Sequence, residues 1–285
     1  MRISIRPVTL RRIVETIDLS IKRGSMDSRT LSTLLRTTER RGQEILSELK
    51  RMKLVEASES EFAPTNNAID FLNAFQQESW EGIHLVLFNN YPFYRAFIST
   101  IQEKLPQTSF SKDDLMNALM YDSELNFNRT AIDVLCDWSE RLGIVQRNLY
   151  TGQYYLANEN PNVDDFTASL QTIYEEFNIK PRPGMRQEYV EVARMREFLC
   201  EKLKTKREIF DLLLGQVFKK SCGKIEFSGA PITSMAKSSP TTLKKMKRGM
   251  KDLILSPQFI CLSEARGLEI NGKEYQYIAI FELLR

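Results

Sequence analysis

"EILSELKRMKLVEASESEFAPT", residues 44–65, changes its periodicity halfway along. Ile45, Leu46, Leu49 and Met52 recur at the three- and four-residue intervals of a helix with one apolar face. Beyond them, 54–57 and 61–63 read as two short strands joined by a polar turn. A helix therefore runs straight into a small hairpin. Working outward toward the N-terminus, "VTLRRIVETIDLSIKR" (8–23) places Leu10, Ile13, Val14, Ile17 and Ile21 at helical spacing, and Gly24 stops it. A second short helix runs through "SRTLSTLLRTT", with Ser28 expected as its cap and Leu31, Leu34 and Leu35 facing inward.

Three helices followed by a hairpin, at these lengths, resemble winged helix-turn-helix DNA-binding domains of the kind found in prokaryotic regulators. The resemblance implies that the third helix enters the major groove and that the hairpin touches flanking backbone or minor groove.

The pattern recurs about ninety residues on. "NRTAIDVLCDWSERLGIVQRNLYTGQYYLA" predicts a helix over 128–142 and strands over 144–147 and 153–157, with Val134, Leu135 and Trp138 paralleling Ile45, Leu46 and Leu49. Ser111 is expected to cap the helix before it. Residues 66–105 read as helical, interrupted or capped at Pro92, and their crowded aromatics are better read as core than as a base-stacking surface. "KPRPGMRQ" (180–187) then breaks the pattern as a linker or sharp turn. Beyond it come two helices, a strand, the basic stretch "SPTTLKKMKRGMKDLI" (239–254) and two strand candidates around an "NGK" reversal. The expected fold is mainly α with small β-hairpin wings, as three tandem winged-helix modules: 1–65, 66–181 with a helical connector, and 182–285 with a long wing.

Charge is segregated along the chain. Lys plus Arg against Asp plus Glu is 13 to 9 over 1–65, 7 to 16 over 66–181 and 20 to 12 over 182–285, hence +4, −9 and +8. Such a distribution suits ends that face a polyanion and a middle that does not. Residues 244–251 carry Lys244, Lys245, Lys247, Arg248 and Lys251, and at ~100° per residue these lie opposite Leu243, Met246, Met250 and Leu253. Only Asp252 relieves the repulsion, so this face is expected to grip phosphates, with Lys237 and Thr241 beside it.

On the third helix of the first module, Arg40, Gln43, Ser47 and Arg51 lie opposite the apolar face, and Arg36, Thr37 and Thr38 precede it where phosphates are commonly met. Arg and Gln make bidentate contacts to guanine and adenine edges, so Arg40 and Gln43 are the candidate base readers. The matching helix of the middle module carries Asp133, Asp137 and Glu140, which points to protein contacts instead.

Catalytic signatures are lacking. There is no nucleotide-cradling glycine loop, no nucleophile elbow and no histidine pair, since His84 is the only histidine. The acid pairs Asp113–Asp114 and Asp164–Asp165 sit at expected helix starts, where they favour the dipole. Cys136, Cys200, Cys222 and Cys261 are too dispersed for a zinc site and are expected as reduced thiols. With no long apolar run, the expectation is a cytoplasmic, non-enzymatic protein without cofactor or metal, binding double-stranded DNA and serving, for example, transcription regulation. The competing expectation is a scaffold or accessory subunit of a nucleic-acid-processing or genome-defence complex, with partner binding or self-association through 66–181.

Overall fold

The computed structural model describes residues 5–58, 61–106, 108–122, 125–178, 189–229 and 266–282. Over these the chain is mainly helical, with eleven helices and small antiparallel sheets. By contacts it divides into two compact units, Met1–Val145 and Gln146–Arg285. The stretch 180–187 lies outside the described residues.

The first unit opens with α1 (Leu10–Arg23), capped by Thr9, whose hydroxyl accepts from the Arg12 N–H. Gly24, at φ 82°, ends it by donating to the Ser20 carbonyl. α2 (Ser28–Leu34) is capped by Asp27 rather than by Ser28. The Thr30 N–H reaches the Asp27 carboxylate at 2.7 Å, and hydrogen bonds from Thr30 hold that carboxyl below its ordinary range. α3 (Glu39–Arg51) is followed by β1 (Val55–Ser58) and β2 (Glu61–Pro64), paired from Val55↔Pro64 to Ser58↔Glu61. Met26 bridges Phe62 through two backbone hydrogen bonds of 3.0 and 2.9 Å, so β2 lies between Met26 and β1.

α4 (Asn66–Gln76) packs on α1 and β2, and α5 (Trp80–Asn90) packs on α4. Pro92 is the first residue of α6 (Pro92–Lys104), where its missing N–H costs nothing. Phe71, Tyr91, Tyr94 and Phe97 are fully buried, so this aromatic segment is core. The half-buried His84 ring nitrogen meets the Tyr94 hydroxyl at 2.9 Å, and burial lowers the imidazole's affinity for a proton. α7 (Lys112–Asp122) begins with a reciprocal cap: the Asp114 N–H donates to Ser111 Oγ, while Ser111 N–H and Oγ–H donate to the Asp114 carboxylate. α8 (Arg129–Arg141) follows. Its Trp138 is fully buried and donates to the Val8 carbonyl at 3.1 Å.

β3 (Val145–Arg147) runs across the division and pairs with β4 (Tyr154–Leu156). The second unit then contains α9 (Val163–Asn178), β5 (Val190–Glu191), α10 (Val192–Leu203), α11 (Arg207–Lys220), β6 (Ile225–Ser228), β7 (Leu268–Ile270), β8 (Lys273–Tyr275) and β9 (Tyr277–Ile280). The three helices pack on one another, and β9 is the central strand of an antiparallel sheet ordered β5–β9–β6, with Ile278 opposite both Val190 and Phe227. Asn271 and Gly272, at φ 51° and 76°, form the expected tight reversal between β7 and β8.

Two readings of this unit change. The apolar period of "EYVEVARMREF" masks a break: Val190 and Glu191 are a strand, because β9 offers them a partner. "KEYQYIAIFEL" holds two strands rather than one, with Gln276 between them tied to Ser228 and Val192. Cys136 and Cys200 are buried free thiols, and burial pushes the Cys200 thiol well above its ordinary range; Cys222 is exposed. No helix among the described residues is long and apolar enough to cross a membrane.

Candidate nucleic-acid interface

The placement of α3 begins with a four-residue turn. Leu35 ends α2, Arg36 turns left-handed at φ 51°, the Thr37 N–H donates to the Ser32 carbonyl at 2.9 Å, and Thr38 caps α3 through the Arg41 N–H. Gly42 then brings α3 against α2. A Cβ there would stand 2.2 Å from Ser32 Oγ and 2.7 Å from the Ser28 carbonyl oxygen. Glycine costs about 1 kcal/mol relative to alanine inside a helix, so this close approach is what retains it. Gly42→Ala is accordingly expected to destabilise the protein by about 1–3 kcal/mol despite the better helix former, as read by urea unfolding; a gain in stability would show that the helices separate freely.

The inner face of α3 buries Ile45, Leu46, Leu49 and Met52 as the periodicity predicts. Glu48 is buried among them at 0% exposure. Its carboxylate accepts from the Arg6 backbone N–H at 3.1 Å, from Arg51 Nη1 at 3.0 Å and from the Tyr91 hydroxyl. Burial and this carboxylate push the Tyr91 hydroxyl far above its ordinary range, so it remains a donor. Arg51 is thereby drawn inward, half-buried, and stands apart from the other predicted DNA-binding residues of the helix.

On the outer face the structure brings together Arg40, Gln43, Ser47 and Lys50, all exposed. The Arg40 side chain is 87% exposed and only loosely paired with Glu44, at 3.5 Å. Arg41 holds Glu44 more closely, at 3.0 Å, and its hydrogen bond keeps that carboxyl below the usual range. Arg41 also donates to the Pro7 carbonyl, which removes it from the outer face. Arg36 and Thr38 are exposed immediately before the helix, and Lys53, left-handed at φ 55°, is exposed just beyond it. Lys50 and Lys53 were missed in the sequence. Lys50 falls three residues after Ser47 on the same stripe, a signal that was present; the turn at Lys53 carries no composition cue.

The hairpin differs from what the resemblance implies. Glu56 and Glu61 are exposed on β1 and β2, and Ser25 Oγ donates to Glu61 at 2.6 Å. Carboxylates on a wing repel phosphates, so the cationic surface is confined to α3 and its flanking turns.

Around α8 the acids are partly neutralised within the chain. Lys112 pairs with Asp133, and Arg141 Nε reaches both Asp137 oxygens at 2.9 Å. At the other acid pair, Asp165 exchanges hydrogen bonds with Asn162 at 2.8 Å, so Asp114 and Asp165 both act as helix caps.

The second unit repeats the turn between α2 and α3. Lys204 is left-handed at φ 51°, like Arg36; the Thr205 N–H donates to the Cys200 carbonyl at 3.1 Å, like Thr37 to Ser32; Lys206 caps α11 at φ −78°, ψ 150°, against −75°, 151° at Thr38. The third helix of this unit is thus α11, and its outer face carries Glu208, Leu212, Gly215, Gln216 and Lys219. The stretch expected to grip phosphates, with Lys237, Thr241, Lys244, Lys245, Lys247, Arg248 and Lys251, lies outside the described residues. In chain order it falls in the connection between β6 and β7.

Beneath α11 lies a cluster of buried charge. Arg207 donates to Glu197 through Nε at 2.6 Å and Nη2 at 2.8 Å, and also to the Arg147 carbonyl. Glu197 further accepts from the Leu149 N–H at 2.9 Å, and Glu201 accepts from Asn148, so the loop between β3 and β4 is held down on α10. The neighbouring Arg196 pairs with Asp211 and donates to the Arg266 and Gly267 carbonyls. Every charge in this cluster has a structural partner.

No family model matches the chain, and no curated protein or solved structure shows significant similarity to it.

Proposed function

We propose that the chain is a non-enzymatic double-stranded DNA-binding protein built from winged-helix modules. The observation that carries this reading is the outer face of α3, where Arg40, Gln43, Ser47 and Lys50 stand exposed between Arg36 and Lys53. Holding a non-glycine residue left-handed costs about 1 kcal/mol, and here both such positions beside α3 are cations. Arg40 and Gln43 are the residue types that read guanine and adenine edges, and the flanking cations suit phosphates.

The modular reading is supported by topology. Met26–β2–β1 and β5–β9–β6 share one strand order, each interleaved with helices in the sequence helix, strand, helix, helix, strand, strand, with β7 and β8 falling between the last two strands of the second. In this proposal the cations of 244–251 add backbone attraction on the ground of sequence alone.

The test is a titration of random duplex between 50 and 200 mM salt. The logarithm of affinity should fall linearly with the logarithm of salt, with a slope of at least about −3 if the cations at Arg36, Lys50 and Lys53 each meet a phosphate. No binding at the lowest salt would overturn the reading. It would leave the scaffold or accessory-subunit alternative, which the acidic outer face of α8 and the exposed Leu212 of α11 favour.

A further inference from the structure

The outer face of α11 carries a regular, charged and partly apolar pattern. Glu208, Leu212, Gly215 and Lys219 recur at intervals of four, three and four residues, the spacing of a helix–helix seam. Leu212 is 56% exposed. Glu208 and Lys219 are exposed and have no ion-pair partner among the described residues. Gly215 is a weak helix former in mid-helix, and a Cβ placed on it meets nothing within 4 Å. Unlike Gly42, it serves no packing contact among the described residues.

These positions are self-complementary about one point. A two-fold axis running between the two antiparallel helices, level with the midpoint of residues 213 and 214, sets Glu208 of each copy against Lys219 of the other, and Leu212 of each over Gly215 of the other. The leucine supplies apolar area, and the glycine leaves the hollow that receives it. The helix dipoles oppose, and each ion pair joins a first-turn acid to a last-turn base.

We propose that α11 is a self-association surface through which two copies of this chain pair antiparallel, by way of Glu208, Leu212, Gly215 and Lys219. A DNA duplex does not fit this face, because Glu208, Asp211 and Phe218 stand where α3 presents Arg40, Gln43 and Lys50. A seam of three turns, about 17 Å long, makes a reversible dimer rather than an obligate one. The proposal is independent of whether α3 binds DNA.

The experiment is sedimentation equilibrium of the full chain over a range of concentrations. The wild type should rise from 33.1 kDa toward twice that mass. E208K and K219E, each of which sets like charges together, should remain single chains, and the E208K/K219E double variant should associate as the wild type does. An equimolar mixture of the two single variants should also associate, because every cross-pair is again of opposite charge. G215Q, placed where a Cβ meets nothing within 4 Å among the described residues, should weaken association at least about tenfold with no loss of melting temperature. A wild type of 33.1 kDa at every concentration overturns the proposal. So does association that the single charge reversals leave intact, or a mixture that stays monomeric.

Discussion

Replacing Arg207 with alanine lowers the stability of the second unit by about 3–5 kcal/mol. Glu197 is 1% exposed and receives two of its hydrogen bonds from Arg207, so the substitution leaves a buried carboxylate with the Leu149 N–H as its remaining partner here. The Arg147 carbonyl loses a donor at the same time. Removing one partner of a buried pair is far more damaging than removing both, because the remaining charge has neither water nor a counterion. The E197L/R207M double variant is therefore expected to be more stable than R207A, although the Leu149 N–H is then left unsatisfied at about 1–3 kcal/mol. At a urea slope of about 2 kcal/mol per molar, R207A moves the unfolding midpoint by roughly 2 M. Both tryptophans, Trp80 and Trp138, lie in the first unit, so fluorescence reports that unit while circular dichroism reports the sum. The early loss should be seen in circular dichroism. A shift below about 1 kcal/mol would mean that Glu197 finds another partner. The exposed neighbour Lys206→Ala is the control, with no shift expected beyond about 0.5 kcal/mol.

The same charges mark where sequence reading ran out. Periodicity located α3, because Ile45, Leu46, Leu49 and Met52 have no competing pattern, and it located α8 for the same reason. Local chemistry located the Ser111 cap and the Asn271–Gly272 reversal, where few other residues serve. Glu48, by contrast, reads as a surface acid three residues before Arg51, and the Arg6 N–H, 42 residues back, and Tyr91, 43 residues on, make its burial tolerable. Arg51 then follows it inward, which is why a residue on the polar side of the wheel does not join Arg40 and Gln43. In the second unit α11 begins at the turn of Lys204, Thr205 and Lys206, and a left-handed lysine has no signature in composition. Long-range pairing also decides β5: two residues become a strand because Ile278 and Tyr277 are opposite.

The R36G/K50A/K53G variant is expected to bind duplex DNA about 500-fold more weakly at 0.1 M salt while keeping its fold. Each phosphate contact contributes a slope of about 0.9, hence about 0.9 decade of affinity between 1 M and 0.1 M salt; three contacts give about 2.7 decades. The choice of glycine at two positions separates binding from stability. Arg36 and Lys53 sit at φ 51° and 55°, where glycine relieves strain of about 1 kcal/mol and loses a similar amount through the freer unfolded chain. Lys50 is exposed on the helix, and alanine is a good helix former there. The melting temperature should therefore move by no more than a few degrees. Salt titration should show a slope shallower by about 2.7 than that of the wild type, equally for every duplex sequence. R40A and Q43A should behave differently, each reducing discrimination between duplexes by about 1–3 kcal/mol with little change in slope if it reads a base edge. An unchanged slope in the triple variant would remove α3 from the interface, and loss of slope in R40A alone would make Arg40 a backbone contact instead of a reader.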